Sequence, residues 1–410
     1  MSNNIPEIRF KGFTHAWEQR TLGKVAEFSK GSGYSKGDLT DSGTPIILYG
    51  RLYTNYETVI ENVNTYATLK DKSVLSQGGE VIVPSSGETA EDISRASVVA
   101  KSGTILGGDL NIIKTDSTIS PSFLALTISN GSQQKELSKR AQGKSVVHIG
   151  NSDLKKVVLN HPSVQEQTDI SNFFRTLDDA ITLHKRKLEG LKELKLGYLQ
   201  QMFPKVGESV PRVRFSGFTG DWKMCKLGDV VEHIKRKNKG LESTLALTIS
   251  AQYGLLAQKD FFQQEVASKD VSNYYLVKNG EFAYNKSYSK GYPWGAVKRL
   301  ENYEMGVLST LYIVFKPINI DSGFLAQYYE TTHWHNEVAQ YAAEGARNHG
   351  LLNIATSDFF DTMLTMPTNS NEQAVIGDFF LMLDGQIMAQ EQKLSQLKQL
   401  KSAYLQKMFV

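Results

Sequence analysis

The stretch that decides the fold is residues 166–203, EQTDISNFFRTLDDAITLHKRKLEGLKELKLGYLQQMF. A second version follows at residues 372–409, EQAVIGDFFLMLDGQIMAQEQKLSQLKQLKSAYLQKMF, and 19 of the 38 positions are identical without a gap. Identity at this density indicates an internal duplication. The spacing between the copies is far too long for a solenoid repeat, so the duplicated unit is a whole domain with its helix.

Both copies are predicted to be long helices that pair with each other. Each begins with a capping box, Ser163 to Glu166 in the first copy and Asn369 to Glu372 in the second. Apolar residues then recur at alternating spacings of three and four, which is the a/d pattern of a coiled coil. The residues predicted to form the pairing seam are Phe174, Leu177, Ile181, His184, Leu188, Leu191, Phe380, Leu383, Ile387, Gln390, Leu394 and Leu397.

The length of the seam favours an antiparallel coiled coil that acts as a spacer. A helix of roughly 38 residues at about 1.5 Å per residue is a rod of about 57 Å, which needs an equally long partner. Local packing of each helix on its own domain is the alternative. The polar seam residues His184 and Gln390 have two interpretations: a partly exposed seam position, or a polar pair that fixes the register.

A second pair of repeated segments marks the start of each globular part. Residues 6–27 read PEIRFKGFTHAWEQRTLGKVAE and residues 211–232 read PRVRFSGFTGDWKMCKLGDVVE, with 11 of 22 positions identical. Each globular part mixes short β-like runs, glycine-rich turns and a helix, so the fold class is α+β with an internal pseudo-two-fold repeat. The predicted layout is a first domain at 1–162, a spacer helix at 163–203, a second domain at 204–366 and a second spacer helix at 367–410.

Composition and missing motifs narrow the classes of function. Lys and Arg number 46 against 43 Asp and Glu, and this net charge of +3 neither requires nor excludes nucleic acid. The single cysteine, Cys225, argues against a disulfide framework or a cysteine-rich zinc site. The absence of a signal-peptide pattern and of a long apolar run predicts a cytoplasmic protein without a membrane partner. No complete catalytic or metal-binding motif is found, so we expect no catalytic residue and no metal ligand.

Basic and small polar residues cluster in predicted loops of both globular parts. Lys and Arg neutralise phosphates, and Arg and Asn also read base edges. Each run alone is more typical of a solvated loop, but its recurrence in both halves favours nucleic-acid binding. The candidates in the first domain are Lys30, Ser32, Tyr34, Lys36, Ser85, Ser86, Arg140 and Lys144. Those in the second domain are Lys235, Arg236, Lys237, Lys239, Lys286, Ser287, Tyr288, Lys290, Arg347, Asn348 and His349.

The repeated motifs resemble the specificity (S) subunit of type I restriction-modification enzymes. Arg-Phe-x-Gly-Phe opens each domain, at Arg9 and at Arg214. Glu-Gln-x-x-Ile-x-x-Phe-Phe-x-x-Leu-Asp, followed by Tyr-Leu-Gln-x-Met-Phe, spans each predicted helix, so the resemblance covers the whole chain. The resemblance implies a non-catalytic chain whose two target recognition domains each read one half of a split double-stranded DNA sequence.

The same resemblance implies partners and cofactors. The paired helices would set the spacing of the half-sites and dock two methyltransferase (M) subunits, which restriction (R) subunits join. S-adenosylmethionine, ATP and magnesium are then expected on the partner subunits, with no cofactor on this chain. Two other functions stay open at this point: a stand-alone sequence-specific DNA-binding regulator and a catalytic DNA-modifying enzyme.

Overall fold

The structure is a computed structural model that describes residues 4–141, 146–262, 270–289, 291–342 and 352–410. The chain divides into two compact units, residues 1–185 with 392–410 and residues 186–391. The first long helix is Val164–Gln201 and the second long helix is Ser370–Lys407. Both lie over the sequence stretches predicted to be helical, and each contributes a segment to each unit.

The first unit is built on a five-stranded sheet that is antiparallel except at one edge pair. In spatial order its strands are Ala26–Lys30, Leu110–Thr115, Glu80–Pro84, Ser97–Val99 and Val59–Ile60. The middle of the sheet is apolar, since Val81, Ile82 and Val83 are all fully buried. Ser120 followed by Pro121 is a residue pair typical of a helix start, and the helix Pro121–Ile128 begins there with Ser120 as N-cap.

Smaller elements complete the first unit. A four-stranded sheet has the order Ile105–Leu106, Thr44–Ile47, Tyr66–Ala67 and Leu39–Thr40. Two further strand pairs are Glu18–Thr21 with Val158–His161 and Ser86–Gly87 with Val147–His148. The short helices are Arg51–Thr54, Ala90–Ile93, Gly131–Arg140 and Asn151–Leu154, with 3-10 turns at Leu22–Lys24 and Lys36–Asp38.

The second unit has an equivalent central sheet in which all described strand pairs are antiparallel. Its order is Val231–His233, Ile313–Pro317, Phe282–Asn285 and Ala296–Arg299. Three further pairs are Lys223–Lys226 with Met363–Met366, Leu247–Ser250 with Gly254–Ala257, and Tyr275–Lys278 with Met305–Leu308. The short helices are Leu227–Val230, Gln258–Phe262, Ser322–Tyr328, His333–Tyr341 and Thr356–Asp361.

The start and the end of each domain meet in the same antiparallel pair of strands. Glu18 lies opposite His161 in the first unit, and Lys223 lies opposite Met366 in the second. The duplication read from the sequence is therefore also a duplication of the fold. The prediction of two similar α+β domains with two long helices is confirmed.

Within each unit the two helix segments run antiparallel. In the first unit Phe173 packs on Tyr404 with ring centroids 5.0 Å apart, and Asp178 pairs with Lys401. The second unit repeats both contacts: Phe379 packs on Tyr198 at 5.0 Å, and Lys195 Nζ lies 2.6 Å from Asp384 Oδ1. Residue numbers rise along one segment as they fall along its neighbour, which defines the antiparallel direction.

The predicted seam residues have the same burial order in both helices. The first, second and fifth seam residues of each helix are buried, and the other three are half-buried. The buried residues are Phe174, Leu177 and Leu188 in the first helix and Phe380, Leu383 and Leu394 in the second. The helix faces that the a/d spacing singles out are thus the less exposed faces. The pairing of His184 with Gln390 stays a prediction.

The Met-Phe pair at the end of each long helix completes the core of a domain. Met408 and Phe409 are buried with Trp17 and Phe123 in the first unit. In the second unit Phe203 contacts Phe324, with ring centroids 5.4 Å apart. Burying a phenylalanine side chain stabilises a fold by roughly 1.5–3 kcal/mol, so these helix ends contribute to domain stability.

The predicted capping boxes form only in part. Ser163 Oγ accepts a hydrogen bond from the Glu166 N–H at 3.4 Å, as predicted. The carboxylate of Glu166 does not complete the box, because it bonds to the guanidinium of Arg9. Glu372 likewise bonds to Arg214. A buried carboxylate is stabilised more by an arginine than by a single backbone N–H, which explains the departure.

Candidate nucleic-acid interface

The central sheet of the first unit brings two of the predicted loops together at one edge. Strands Ala26–Lys30 and Glu80–Pro84 both run antiparallel to Leu110–Thr115, so their C-terminal ends lie at the same edge of the sheet, the one formed by strand ends. Lys30 and Ser85 lie at these two strand ends, and Lys30 Nζ donates a hydrogen bond to Ser85 Oγ at 2.5 Å. A cation and a hydroxyl that are 55 residues apart in sequence thus share one place.

The surroundings of this edge are polar. Burial lowers the pKa of Lys30, and the nearby Asp109 carboxylate opposes that shift. Ser86 Oγ lies 3.1 Å from His148 Nδ1, and the Tyr53 hydroxyl donates to the Ser86 carbonyl at 2.6 Å. His148 was not among the residues predicted from the sequence, although it follows the candidate Lys144 by four residues. A lysine, two serines and a histidine at a sheet edge provide donors for phosphate or base edges.

Of the other candidate residues in the first domain, three interact within the protein and one is exposed to solvent. Ser32 Oγ accepts a hydrogen bond from the Val74 N–H at 3.0 Å. Tyr34 is buried, and its hydroxyl accepts from the Lys70 N–H at 3.0 Å. Lys36 is exposed at the start of a 3-10 turn. Arg140 was predicted to lie in a loop, but it ends the helix Gly131–Arg140, where it pairs with Glu136 at 2.8 Å. The i,i+4 spacing explains this pair.

Two lysines lie at the equivalent edge of the central sheet in the second unit. Lys235 follows strand Val231–His233 and Lys286 follows strand Phe282–Asn285, and both strands run antiparallel to Ile313–Pro317. Lys286 Nζ donates to the Ile354 carbonyl at 3.3 Å.

Two polar neighbours follow Lys286. The Ser287 N–H donates to Asn285 Oδ1 at 3.0 Å, which fixes the turn after the strand. Tyr288 is exposed, so an aromatic ring lies beside the basic edge.

The basic run 235–239 contains residues with different roles. Arg236 Nη2 lies 2.7 Å from Glu281 Oε2 and also donates to the Leu276 carbonyl at 3.1 Å. The ammonium of Lys237 lies 4.0 Å from the ring centroid of Tyr275. Lys235 and Lys239 are exposed. These two lysines are therefore the cations of the run that are most accessible to phosphate.

Several candidate residues lie outside the described part of the chain, and their role stays a prediction. They are Lys144, Lys290, Arg347, Asn348 and His349.

The described residues hold no group of three or more His, Cys, Asp or Glu side chains placed to bind a metal ion. Over the same residues, no helix is both long and apolar enough to cross a membrane.

Comparison with known proteins finds a family domain in the first half of the chain and similar folds among solved structures. Residues 15–193 match the family model described as the type I restriction modification DNA specificity domain. The crystal structure of a type I restriction-modification S subunit from M. genitalium has a TM-score of 0.62 at 15% identity, with 99% of each chain covered.

A second solved chain comes from a study of complex assembly and conformational transition in the type I R-M system. It has a TM-score of 0.50 at 14% identity over 95% of this chain and 96% of that chain. A comparison with curated proteins finds no match.

Residues 15–193 thus match a DNA specificity domain of type I restriction modification. Over its whole length the chain is similar in fold to the solved S subunit, and the matched specificity domain lies in its first half.

Proposed function

We propose that this chain acts without catalysis of its own and that each domain reads one half of a split double-stranded DNA site. The observation that supports this most directly is the repeated sheet edge. Lys30 and Ser85 occupy it in the first unit, and Lys235 and Lys286 occupy it in the second. Lysines at equivalent places in two similar domains suit two similar stretches of phosphate backbone.

The long helices are the proposed docking surface for two M subunits, with R subunits joining that complex. Exposed large apolar side chains on these helices support the proposal, because such side chains are available for contact with a partner. They include Leu183, Leu194, Leu196, Leu381, Met382 and Met388. S-adenosylmethionine, ATP and magnesium would then be held by the partner subunits. Since its substrate is cellular DNA, the complex would act in the cytoplasm.

Methyl transfer tests the division of labour. The purified chain is incubated with S-adenosylmethionine and target DNA, alone and after assembly with its M subunits. We expect adenine methylation only in the assembled complex, at a bipartite motif. Methyl transfer by the chain alone would show that it is an enzyme. Tight specific binding by a chain that recruits no M subunit would instead support a stand-alone DNA-binding regulator.

A further inference from the structure

Leu241 has a backbone conformation that leucine rarely adopts. Its φ angle is +52°, and among the described residues it is the one non-glycine residue with a positive φ. Its side chain is also 55% exposed, so packing inside the protein does not explain the leucine. Bulky residues with positive φ are outliers, and such strain concentrates at functional sites.

A buried asparagine holds this turn in place. Asn238 is fully buried, and its Nδ2 donates to the Ser243 carbonyl at 2.8 Å. Asn238 Oδ1 accepts from the Ser243 N–H at 3.3 Å, and the Leu241 N–H donates to the Asn238 carbonyl at 2.9 Å. The Asn238 N–H is bonded to the Tyr274 carbonyl at 3.0 Å. Residues 238–241 therefore form a tight turn that is fixed from both sides.

The exposed leucine lies beside a cluster of cations. Lys239 is in the same turn, and Lys235 and Lys237 precede it in the chain. Lys235 and Lys239 are exposed, while the ammonium of Lys237 rests on the ring of Tyr275. A polyanion attracted by these lysines would bring its own apolar surface close to Leu241.

We propose that Leu241 contacts the apolar surface of a base in the half-site that the second domain reads, while Lys235 and Lys239 bind the flanking phosphates. This inference rests on the proposed function. Apolar side chains contact the methyl group of thymine in the major groove or insert between base steps. Leu241 is then a specificity-determining residue, and the turn around Asn238 positions it.

Leu241→Gly in the full chain, assembled with its M subunits, is the most informative variant. Glycine accepts a positive φ, so the turn persists while the side chain is removed. We expect an unchanged or higher Tm and an affinity for the cognate site that is lower by roughly tenfold, the effect of losing one base contact. The salt dependence of binding should not change, and the methylated motif should become degenerate at one position of one half-site.

Two control variants separate the contributions. Leu311→Ala removes another exposed leucine of the same unit, one that is 62% exposed, and should leave affinity and motif unchanged. Lys239→Ala should reduce the salt slope without relaxing the motif. An unaltered motif and affinity in Leu241→Gly, or an equal loss in Leu311→Ala, would overturn the inference. If the unmodified complex shows no bipartite motif at all, it is the proposed function that fails.

Modified DNA distinguishes the two kinds of apolar contact. Each thymine of the half-site is replaced in turn by uracil, which lacks the methyl group. If Leu241 contacts a thymine methyl, one of the replacements should weaken DNA binding by the unmodified protein. The same replacement should not weaken DNA binding by Leu241→Gly any further. If Leu241 inserts between bases, 2-aminopurine fluorescence should rise on binding for the unmodified protein and not for the variant. The absence of both responses would contradict a base contact.

Discussion

Arg9 forms a bidentate ion pair with the carboxylate of Glu166, which lies 157 residues away in the sequence. Arg9 Nε is 2.6 Å from Oε1 and Nη2 is 2.7 Å from Oε2. Arg9 belongs to the motif at the start of the domain, and Glu166 belongs to the first turn of the first long helix. The second half repeats the pair with Arg214 and Glu372 at 2.7 and 2.8 Å. In each half, this ion pair connects the motif at the start of the domain with the motif at the start of the long helix. The ion pair is thus the joint between domain and helix.

Removing one side of this joint should destabilise its unit. The Glu166 side chain is 1% exposed and that of Arg9 is 12% exposed, so Glu166→Ala leaves a largely buried guanidinium without its partner. Breaking a buried ion pair costs about 3–5 kcal/mol. We expect a loss of this size in the free energy of unfolding, measured by urea denaturation. A loss below about 1 kcal/mol would mean that the pair behaves as a surface salt bridge.

The second copy provides a matched variant. Glu372 Oε1 also accepts a hydrogen bond from Trp222 Nε1 at 3.3 Å. The equivalent Trp17 indole N–H has no hydrogen-bond partner among the described residues. Glu372→Ala should therefore cost about 1 kcal/mol more than Glu166→Ala, the contribution of one further hydrogen bond. Equal losses in urea denaturation would show that the indole bond adds nothing.

Salt dependence should separate the cations of the run 235–239. Lys235→Ala with Lys239→Ala should reduce the slope of log K against log salt by up to about 0.9 per lost phosphate contact and leave the fold intact. Arg236→Ala should instead lower the free energy of unfolding, because it leaves the nearly buried Glu281 carboxylate without its guanidinium. Binding titrations and urea denaturation measure the two effects. A double lysine variant with an unchanged slope would assign those lysines to a solvated loop.

The second unit should lose stability in mild acid. Burial lowers the pKa of His333 and of His335 from the ordinary value of 6.5, so the folded state disfavours their protonation. Below about pH 6.5 the unfolded chain binds more protons than the folded chain, and the free energy of unfolding falls as pH decreases toward the lowered pKa values. His333→Gln should weaken this pH dependence in thermal denaturation. The same dependence in the variant and in the unmodified chain would exclude His333 as a contributor.

Patterns that repeat in the sequence predicted the fold well. The a/d spacing located both long helices, and Ser120 with Pro121 located a helix start, because helix periodicity and capping are local properties. The role of Glu166 was not predictable, since its arginine lies 157 residues away in sequence. For the same reason the sequence placed Arg236 in one group with Lys235. Arg236 differs from Lys235 because it pairs with Glu281, and this tertiary contact is not visible in the composition of the loop. Leu241 carried no signal at all, because backbone strain is not visible in a residue type.

Lengthening both long helices together should change the spacing of the two half-sites. Each helix is anchored in both units, through Asp178 with Lys401 in the first and Lys195 with Asp384 in the second. Four residues inserted after Leu188 and four after Leu394 add about 6 Å and about 1.1 turns. At about 3.4 Å per base pair, the unspecified gap in the motif should lengthen by one or two base pairs.

The matched control lengthens one helix only. Four residues inserted after Gly197 would move Tyr198 away from Phe379, so we expect a lower Tm and loss of methylation rather than a longer gap. Motif sequencing of both variants checks the prediction. A doubly extended, active protein with an unaltered gap would mean that the helices do not set the spacing.

Exchange of one domain tests the central claim most directly. Residues 18–161 are replaced by the corresponding segment of another member of the family. Glu18 and His161 are paired in adjacent strands, so the two junctions lie side by side, and the Arg9–Glu166 joint stays outside the exchange. The measurement is a genome-wide map of methylated adenines in cells that carry the hybrid. We predict that one half of the motif changes while the other half is retained. A hybrid that changes both halves, or one that methylates the original motif, would contradict independent reading by two domains.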